Sequence, residues 1–257
     1  MSINIFGVRL DDRRPKHGVE STASCLFSDI DRVIEMNLTL LADGQTGIPP
    51  LPFSKRAIDL CISSGLIILT LPLMALAAAF VFWNDPGPVF FIQERIGYRG
   101  RIFSFVKLRT MTRERSISGE LLPESARIKP WGAFLRRTSL DELPQLGLVI
   151  LGKMSLVGPR PLLVRYAPFF AYEERQRFRV LPGITGLAQV NGRNTTSWGR
   201  RFAYDMEYVA NWSVALDMRI LFKTVLNVVL SKGIVMDVNK VMEDLDIERG
   251  KAARFGR

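Results

Sequence analysis

The chain has 257 residues, enough for one large domain or two small ones, with 47% hydrophobic and only 23% charged side chains. Two cysteines and the single His17 exclude zinc sites built on several His or Cys and leave a Ser-His-Asp triad no well-placed base, so acid–base or nucleophilic chemistry must come from carboxylates, lysines or tyrosines. A net charge of +10 with a mean hydropathy of +0.12 fits a protein on an anionic membrane that handles phosphate-bearing substrates, not a nucleic-acid binder.

Met1 to Ser54 mixes charge with turn formers and ends in Ile48-Pro49-Pro50-Leu51-Pro52, which predicts a leader or small appendage (1–54). It lacks the pattern of a secretory signal, so a cytoplasmic chain with reduced thiols is expected. Leu60 to Trp83 then carries no charge. As a helix this run is roughly 36 Å long, enough to span the ~30 Å hydrocarbon core. Pro72 at mid-run kinks a helix, and basic residues flank both ends, Lys55 and Arg56 before, Arg95, Arg99 and Arg101 after. A spanning helix and a re-entrant helix that breaks at Pro72 are both compatible with these residues. The re-entrant form needs Ser63, Ser64 or Thr70 to satisfy the freed backbone groups.

Val89 to Gln93 and Ile102 to Val106, separated by Gly97 and Gly100, read as a β-hairpin. Arg95 to Arg137 carries eleven bases against three acids, either a face over anionic lipid or a phosphate site. Leu143 to Met154 is expected as a buried helix, Tyr166 to Arg179 as an amphipathic helix, and Leu216 to Leu230 as a helix that packs inward or lies in the membrane interface. The fold class expected is α+β and predominantly helical. It comprises a membrane-embedded helix-break-helix (55–84), a cytosolic globular domain with a small β-hairpin and amphipathic interfacial helices (85–234), and a tail (235–257).

Gly147 to Lys153 has the spacing of a phosphate-binding loop, but Met154 follows where a hydroxyl is required, so it is discarded. In Leu135 to Gln145, Ser139 and Glu142 have capping-box spacing, while Pro144 is an alternative first helical residue. Either way Asp141 and Glu142 are expected at a helix N-terminus, where the dipole, Arg136 and Arg137 favour ionised carboxylates. Capping explains Glu142 but not Asp141. Pro159 and Pro161 stiffen the backbone around Arg160, a mount suited to a phosphate or carboxylate, or simply a turn. Leu181 to Arg193 sets Gly183, Gly186 and Gly192 among Thr185, Gln189, Asn191 and Arg193. This is either a loop that brings backbone amides to a ligand or a hairpin.

From about Lys55 to about Leu230 these segments, taken in order, resemble the bacterial polyprenyl-phosphate hexose-1-phosphate transferases, or monotopic phosphoglycosyl transferases. The likeness is carried by Lys55-Arg56 before the proline-broken helix, Val106-Lys107-Leu108-Arg109-Thr110-Met111, Thr138 to Gln145, Met154 to Pro161, and Pro182 to Arg193. The resemblance implies transfer of a sugar-1-phosphate from a UDP-sugar to polyprenyl (undecaprenyl) phosphate with Mg2+, releasing UMP. That would be the first membrane step of glycoconjugate or exopolysaccharide synthesis. Asp141 matches the nucleophile and Glu142 its dyad partner, both also candidate metal ligands, and Lys107, Arg136 and Arg160 match residues around the phosphates. Gly183, Gly186, Gln189, Asn191 and Arg193 become candidates for the nucleotide-sugar loop. The resemblance further implies a re-entrant helix bent at Pro72, the cytoplasmic face of the bacterial inner membrane, a phospholipid bilayer as partner, and an assembly compatible with a homodimer. Leu71 stands where many relatives carry serine. The competing classes are a non-enzymatic basic membrane-associated protein, which leaves Asp141 and Glu142 unexplained, and a glycosidase, which needs two carboxyls flanking a sugar.

Overall fold

The computed structural model describes residues 52–192, 196–230 and 243–255. In chain order they form α1 (Phe53–Asn84), the strands β1 (Phe90–Ile96) and β2 (Ile102–Leu108), α2 (Glu124–Arg127), α3 (Pro130–Thr138) and α4 (Gln145–Ile150). Strands β3 (Ser155–Val157), β4 (Leu162–Leu163) and β5 (Gly183–Thr185) follow, then α5 (Leu187–Asn191), α6 (Trp198–Ala210), α7 (Val214–Val229) and α8 (Leu245–Phe255). Helix dominates, as expected, and sheet is limited to two small pieces. The hairpin forms with Phe90 opposite Leu108 and Ile96 opposite Ile102, and β4 adds antiparallel to β1. Strands β3 and β5 pair in parallel. The leader up to Leu51, Arg193 and residues 231–242 lie outside the described residues.

Helix α1 is long and apolar enough to cross a membrane, and its middle is bare: Ile68 and Leu69 are both 76% exposed. Helix α1 runs from Phe53 to Asn84 with Pro72 inside it. A proline removes one helical hydrogen bond, and here the Thr70 hydroxyl donates to Leu66 O at 2.7 Å, supplementing the backbone one turn earlier. Both ends of α1 are fastened to the same globular body. At its start, Lys55 Nζ is buried and donates to Val157 O at 3.1 Å, Tyr208 Oη at 3.2 Å and Asp217 Oδ2 at 2.7 Å. Tyr208 and Trp212 also donate to Asp217, so the ion pair is fully hydrogen-bonded, the condition under which a buried pair is tolerated. At its end, Ala77 and Val81 pack with Leu108 and Leu135, joining the helix to the hairpin and to α3.

Tyr166 to Arg179 is not one amphipathic helix. It is two 3-10 segments, Val164–Phe169 and Glu173–Arg179, with Pro168 inside the first. Proline cannot sustain the helical ladder, and Tyr166, Phe170 and Phe178 instead enter a core with Trp198, Phe202 and Leu245. Leu143 to Met154 yields only the six-residue α4, after which the chain turns at Gly152 (φ +73) into β3. Helix α7 matches its expected range and shows both faces: Ile220 and Asp217 are buried, whereas Met218, Phe222, Val225 and Leu226 are exposed. Residues read as a tail include α8, which is docked on the body through the buried Leu245.

Candidate active site

The end of α3 presents the two adjacent carboxylates. Ser139 closes α3 in the left-handed region (φ 57), and Leu140–Glu142 makes one 3-10 turn. The expected capping box does not form, because the Ser139 side chain makes no cap hydrogen bond. An N-cap residue needs extended backbone, which a left-handed C-cap cannot offer. That turn sets Asp141, 5% exposed, into the wall of a cleft of about 1900 Å³.

Among the described residues nothing hydrogen-bonds or ion-pairs with the Asp141 carboxylate. Burial pushes its pKa up to about 6, the neighbouring Glu142 adds to the rise, and Lys107, Arg136 and Arg160 oppose it without cancelling it. The helix-terminus expectation, a carboxylate held low, is therefore reversed. Desolvation outweighs three cations, and α4 has too few aligned peptides to compensate. Glu142 is held differently, with its Oε1 2.8 Å from Arg160 Nη2.

Each cation has its own mount. Lys107 extends from β2 over the Phe91 ring at 5.3 Å, and burial, then Arg136, lowers its pKa to about 8. Arg136 Nε donates to Thr110 Oγ1 at 2.9 Å. That contact depends on Gly132, where an added Cβ would sit 1.9 Å from Thr110 O and force α3 away from the chain after β2. Arg160 stands between its two prolines, and its carbonyl accepts from Arg177 Nη2 at 2.7 Å.

Arg177 was not singled out by the sequence. It is 3% exposed, pairs with the equally buried Asp205 at 2.9 Å, and lies against the rings of Phe170, Phe178 and Phe202 at 5.9, 5.8 and 5.4 Å. Its partner sits 28 positions away on another helix, a distance no local pattern reports. Arg95, from the basic run, and Arg201 also line the cleft.

The glycine-rich segment does something other than expected. A Cβ on Gly183 would lie 2.1 Å from Gly158 N, and one on Gly186 would lie 2.2 Å from Gly158 O, so the close approach is to the chain's own backbone where β3 meets β5. Gly183, Gly186 and Asn191 are not among the cleft-lining residues, and Asn191 Oδ1 accepts from Lys223 Nζ at 2.5 Å. Gln189 does line the cleft, with Nε2 donating to Ile184 O at 3.1 Å and Oε1 buried without a partner among the described residues. Pro72 lies away from the cleft, although Leu66 and Thr70 of the same helix border it.

The cleft is lined by both cations and apolar side chains: Arg95, Lys107, Arg136, Arg160 and Arg201 among the first, Leu66, Leu143, Ile184, Leu221 and Val225 among the second. Among the described residues no group of three His, Cys, Asp or Glu is arranged to cage a metal. The arrangement suits attack on a phosphorus by a buried carboxylate, with cations around the phosphate oxygens.

A profile of the family described as bacterial sugar transferase matches residues 51–231. An uncharacterized sugar transferase, EpsL, of Bacillus subtilis is 46% identical over 180 residues, covering 70% of this chain and 89% of its own. The exopolysaccharide production protein ExoY of Rhizobium meliloti is 40% identical over 200 residues, with 70% and 87% covered. The UDP-glucose:undecaprenyl-phosphate glucose-1-phosphate transferase of Xanthomonas campestris is 43% identical over 175 residues, covering 63% of this chain and 36% of its own.

Proposed function

The chain belongs to the bacterial sugar transferase family, and we propose that it moves a sugar-1-phosphate from a UDP-sugar to undecaprenyl (polyprenyl) phosphate through a covalent intermediate on Asp141. Membership sets aside the non-enzymatic alternative. The observation that carries the reading is Asp141 itself: a buried carboxylate with no partner among the described residues, in a cleft lined by both cations and apolar side chains. Such a lining suits two substrates, a nucleotide sugar and a lipid phosphate. Relatives named for exopolysaccharide production and for undecaprenyl-phosphate transfer support an early step of exopolysaccharide or glycoconjugate synthesis.

In the first step an Asp141 oxygen attacks the β-phosphorus of the UDP-sugar. The bond from that phosphorus to the bridging oxygen breaks, and UMP leaves with the electron pair. Lys107, Arg136 and Arg160 hold the phosphate oxygens as charge shifts to the leaving group. In the second step a phosphate oxygen of the lipid attacks the same phosphorus, the acyl-phosphate bond breaks, and Asp141 is restored as a carboxylate. The Arg160 guanidinium fixes Glu142 at 2.8 Å, so Glu142 acts as a positioned second carboxylate and not as the nucleophile.

Two adjacent carboxylates with phosphates opposite match the way Mg2+ is usually held, by one or two protein carboxylates plus substrate oxygens. Asp141 and Glu142 would hold it, and when bound it neutralises phosphate charge.

For the membrane, the bare centre of α1, the exposed apolar face of α7, and the attachment of both ends of α1 to one body support a helix that dips into the bilayer and returns. The body then lies on the cytoplasmic face of the inner membrane, with the cleft at headgroup depth.

The test is a half-reaction. A UDP-sugar and Mg2+ without polyprenyl phosphate are expected to give a stoichiometric burst of UMP and, after rapid acid quenching, a sugar-phosphate adduct on the peptide containing Asp141. UMP that appears only with lipid, and no trappable adduct, would mean direct attack by the lipid phosphate.

A further inference from the structure

Residues 243–255 lie beyond the family-matched stretch, yet they are fitted closely to the body. Leu245 has no exposed surface. Trp198 Nε1 donates to Glu243 O at 2.9 Å, Tyr166 Oη donates to Asp244 Oδ1 at 2.6 Å, and Arg249 grips Glu174 through two nitrogens at 2.5 and 2.8 Å. Arg165 pairs with Asp244 and, at 3.5 Å, with Asp246. These partners sit on segments that border the Arg160 side of the cleft. Val164–Phe169 follows Arg160 closely in the chain, and α6 carries both Trp198 and the cleft-lining Arg201 and Asp205.

Among the described residues that line the cleft, Asp244 alone lies beyond residue 231. Arg95, another residue of the cleft, is within electrostatic reach of Asp244. A carboxylate there repels phosphate. What it can accept is the hydrogen of a neutral hydroxyl. Arg165 and Tyr166 engage two of its roughly four lone-pair sites, and its side chain is 47% exposed, so acceptor capacity is left over.

We propose that Asp244 accepts hydrogen bonds from hydroxyl groups of the donor sugar, which makes the C-terminal segment a determinant of which sugar is transferred. The proposal rests on the reading that this cleft binds a nucleotide sugar. It adds to the cleft, besides Gln189, a charged acceptor suited to hydroxyls.

The experiment measures binding of UDP and of a panel of UDP-hexoses and UDP-N-acetylhexosamines to the full-length protein in nanodiscs, beside UMP release from each. In Asp244→Asn and Asp244→Ala the Kd for the tightest-bound UDP-sugar is expected to rise about tenfold, the order expected for one hydrogen bond to a charged group. The Kd for UDP, which has no sugar hydroxyls to offer at that position, should stay within about twofold, and discrimination within the panel should shrink. Asp246→Asn removes only an Arg165 contact and should leave the panel's order unchanged. Equal losses for UDP and UDP-sugars with a lowered Tm, or no loss for either, would make Asp244 a structural staple and overturn the proposal. If the wild-type protein binds no UDP-sugar and releases no UMP, the functional reading fails first and takes the proposal with it.

Discussion

Arg160 Nη2 lies 2.8 Å from Glu142 Oε1, whereas Asp141 beside it has no ion pair among the described residues. Two chemically similar neighbours are thereby assigned different work. One is ion-paired and fixed, and the other is buried and, in the proposed mechanism, reactive. Asp141→Asn is expected to abolish transfer, by about 10³-fold or more, because an amide is a far poorer nucleophile of nearly the same size. Glu142→Gln should cost about 10²-fold, since it loosens Arg160 and removes a candidate metal ligand. Single-turnover UMP release measures both. Substantial UMP release by Asp141→Asn would remove the nucleophile assignment.

The same carboxylate should be expensive for the fold. Its folded pKa is about 6 against an ordinary 3.8, so the charged form is penalised in the folded state. The penalty is complete above about pH 6, shrinks as the pH falls toward 4, and vanishes where folded and unfolded chains are both protonated. Asp141→Asn should therefore be more stable than wild type at pH 7, by about 3 kcal/mol, and equal to it near pH 3.5. Thermal unfolding in detergent at the two pH values checks this, and a lower Tm for the variant at pH 7 would contradict it.

Activity should follow a bell-shaped pH profile. Asp141 must be ionised to attack, so kcat/KM should fall as the pH drops through about 6. Lys107 must be charged to hold phosphate, so it should fall again as the pH rises through about 8. Lys107→Arg should extend the alkaline limb while preserving the acid one, because a guanidinium stays charged there. An unchanged alkaline limb in that variant would assign it to another group.

Topology is testable without a structure. If α1 dips in and returns, cysteines placed at Ser54 and Arg99 should both resist an impermeant thiol reagent in intact cells. Labelling of only one would show a spanning helix. Pro72→Ala restores a backbone donor and removes the ring, and it should shift the chain toward the spanning form.

The sequence made the hairpin, the apolar helix and the basic cleft legible because each is written locally, as alternation, as a run without charge, or as a cluster of bases. It misread elements whose geometry is set from afar. Ser139 has the spacing of a cap, but its backbone is fixed by the end of α3. Gly183 and Gly186 look like a ligand loop, but they are small because Gly158 presses against them. Arg177 and Asp205 meet only after α6 has packed on the segment that follows Arg160, and Asp244 reaches the cleft only because α8 docks. Asp141 and Glu142 are singled out in the sequence by the ordered motifs around them, but the sign of the Asp141 shift needs burial, which a sequence does not display.

The three-way grip on Lys55 makes the long apolar helix inseparable from the globular body. Asp217 is built to receive an ammonium that arrives from α1, and a chain begun after Asn84 would leave that carboxylate buried with no counter-charge. Trimming the greasy segment to obtain a soluble enzyme would therefore remove a keystone and not a tether. Replacing α1 with an unrelated anchor would fail for the same reason unless the graft kept a lysine at that turn. During biogenesis, the interior around Val157, Tyr208 and Asp217 can close only once the first turn of α1 is in place, which couples maturation of the globular part to correct seating of the helix.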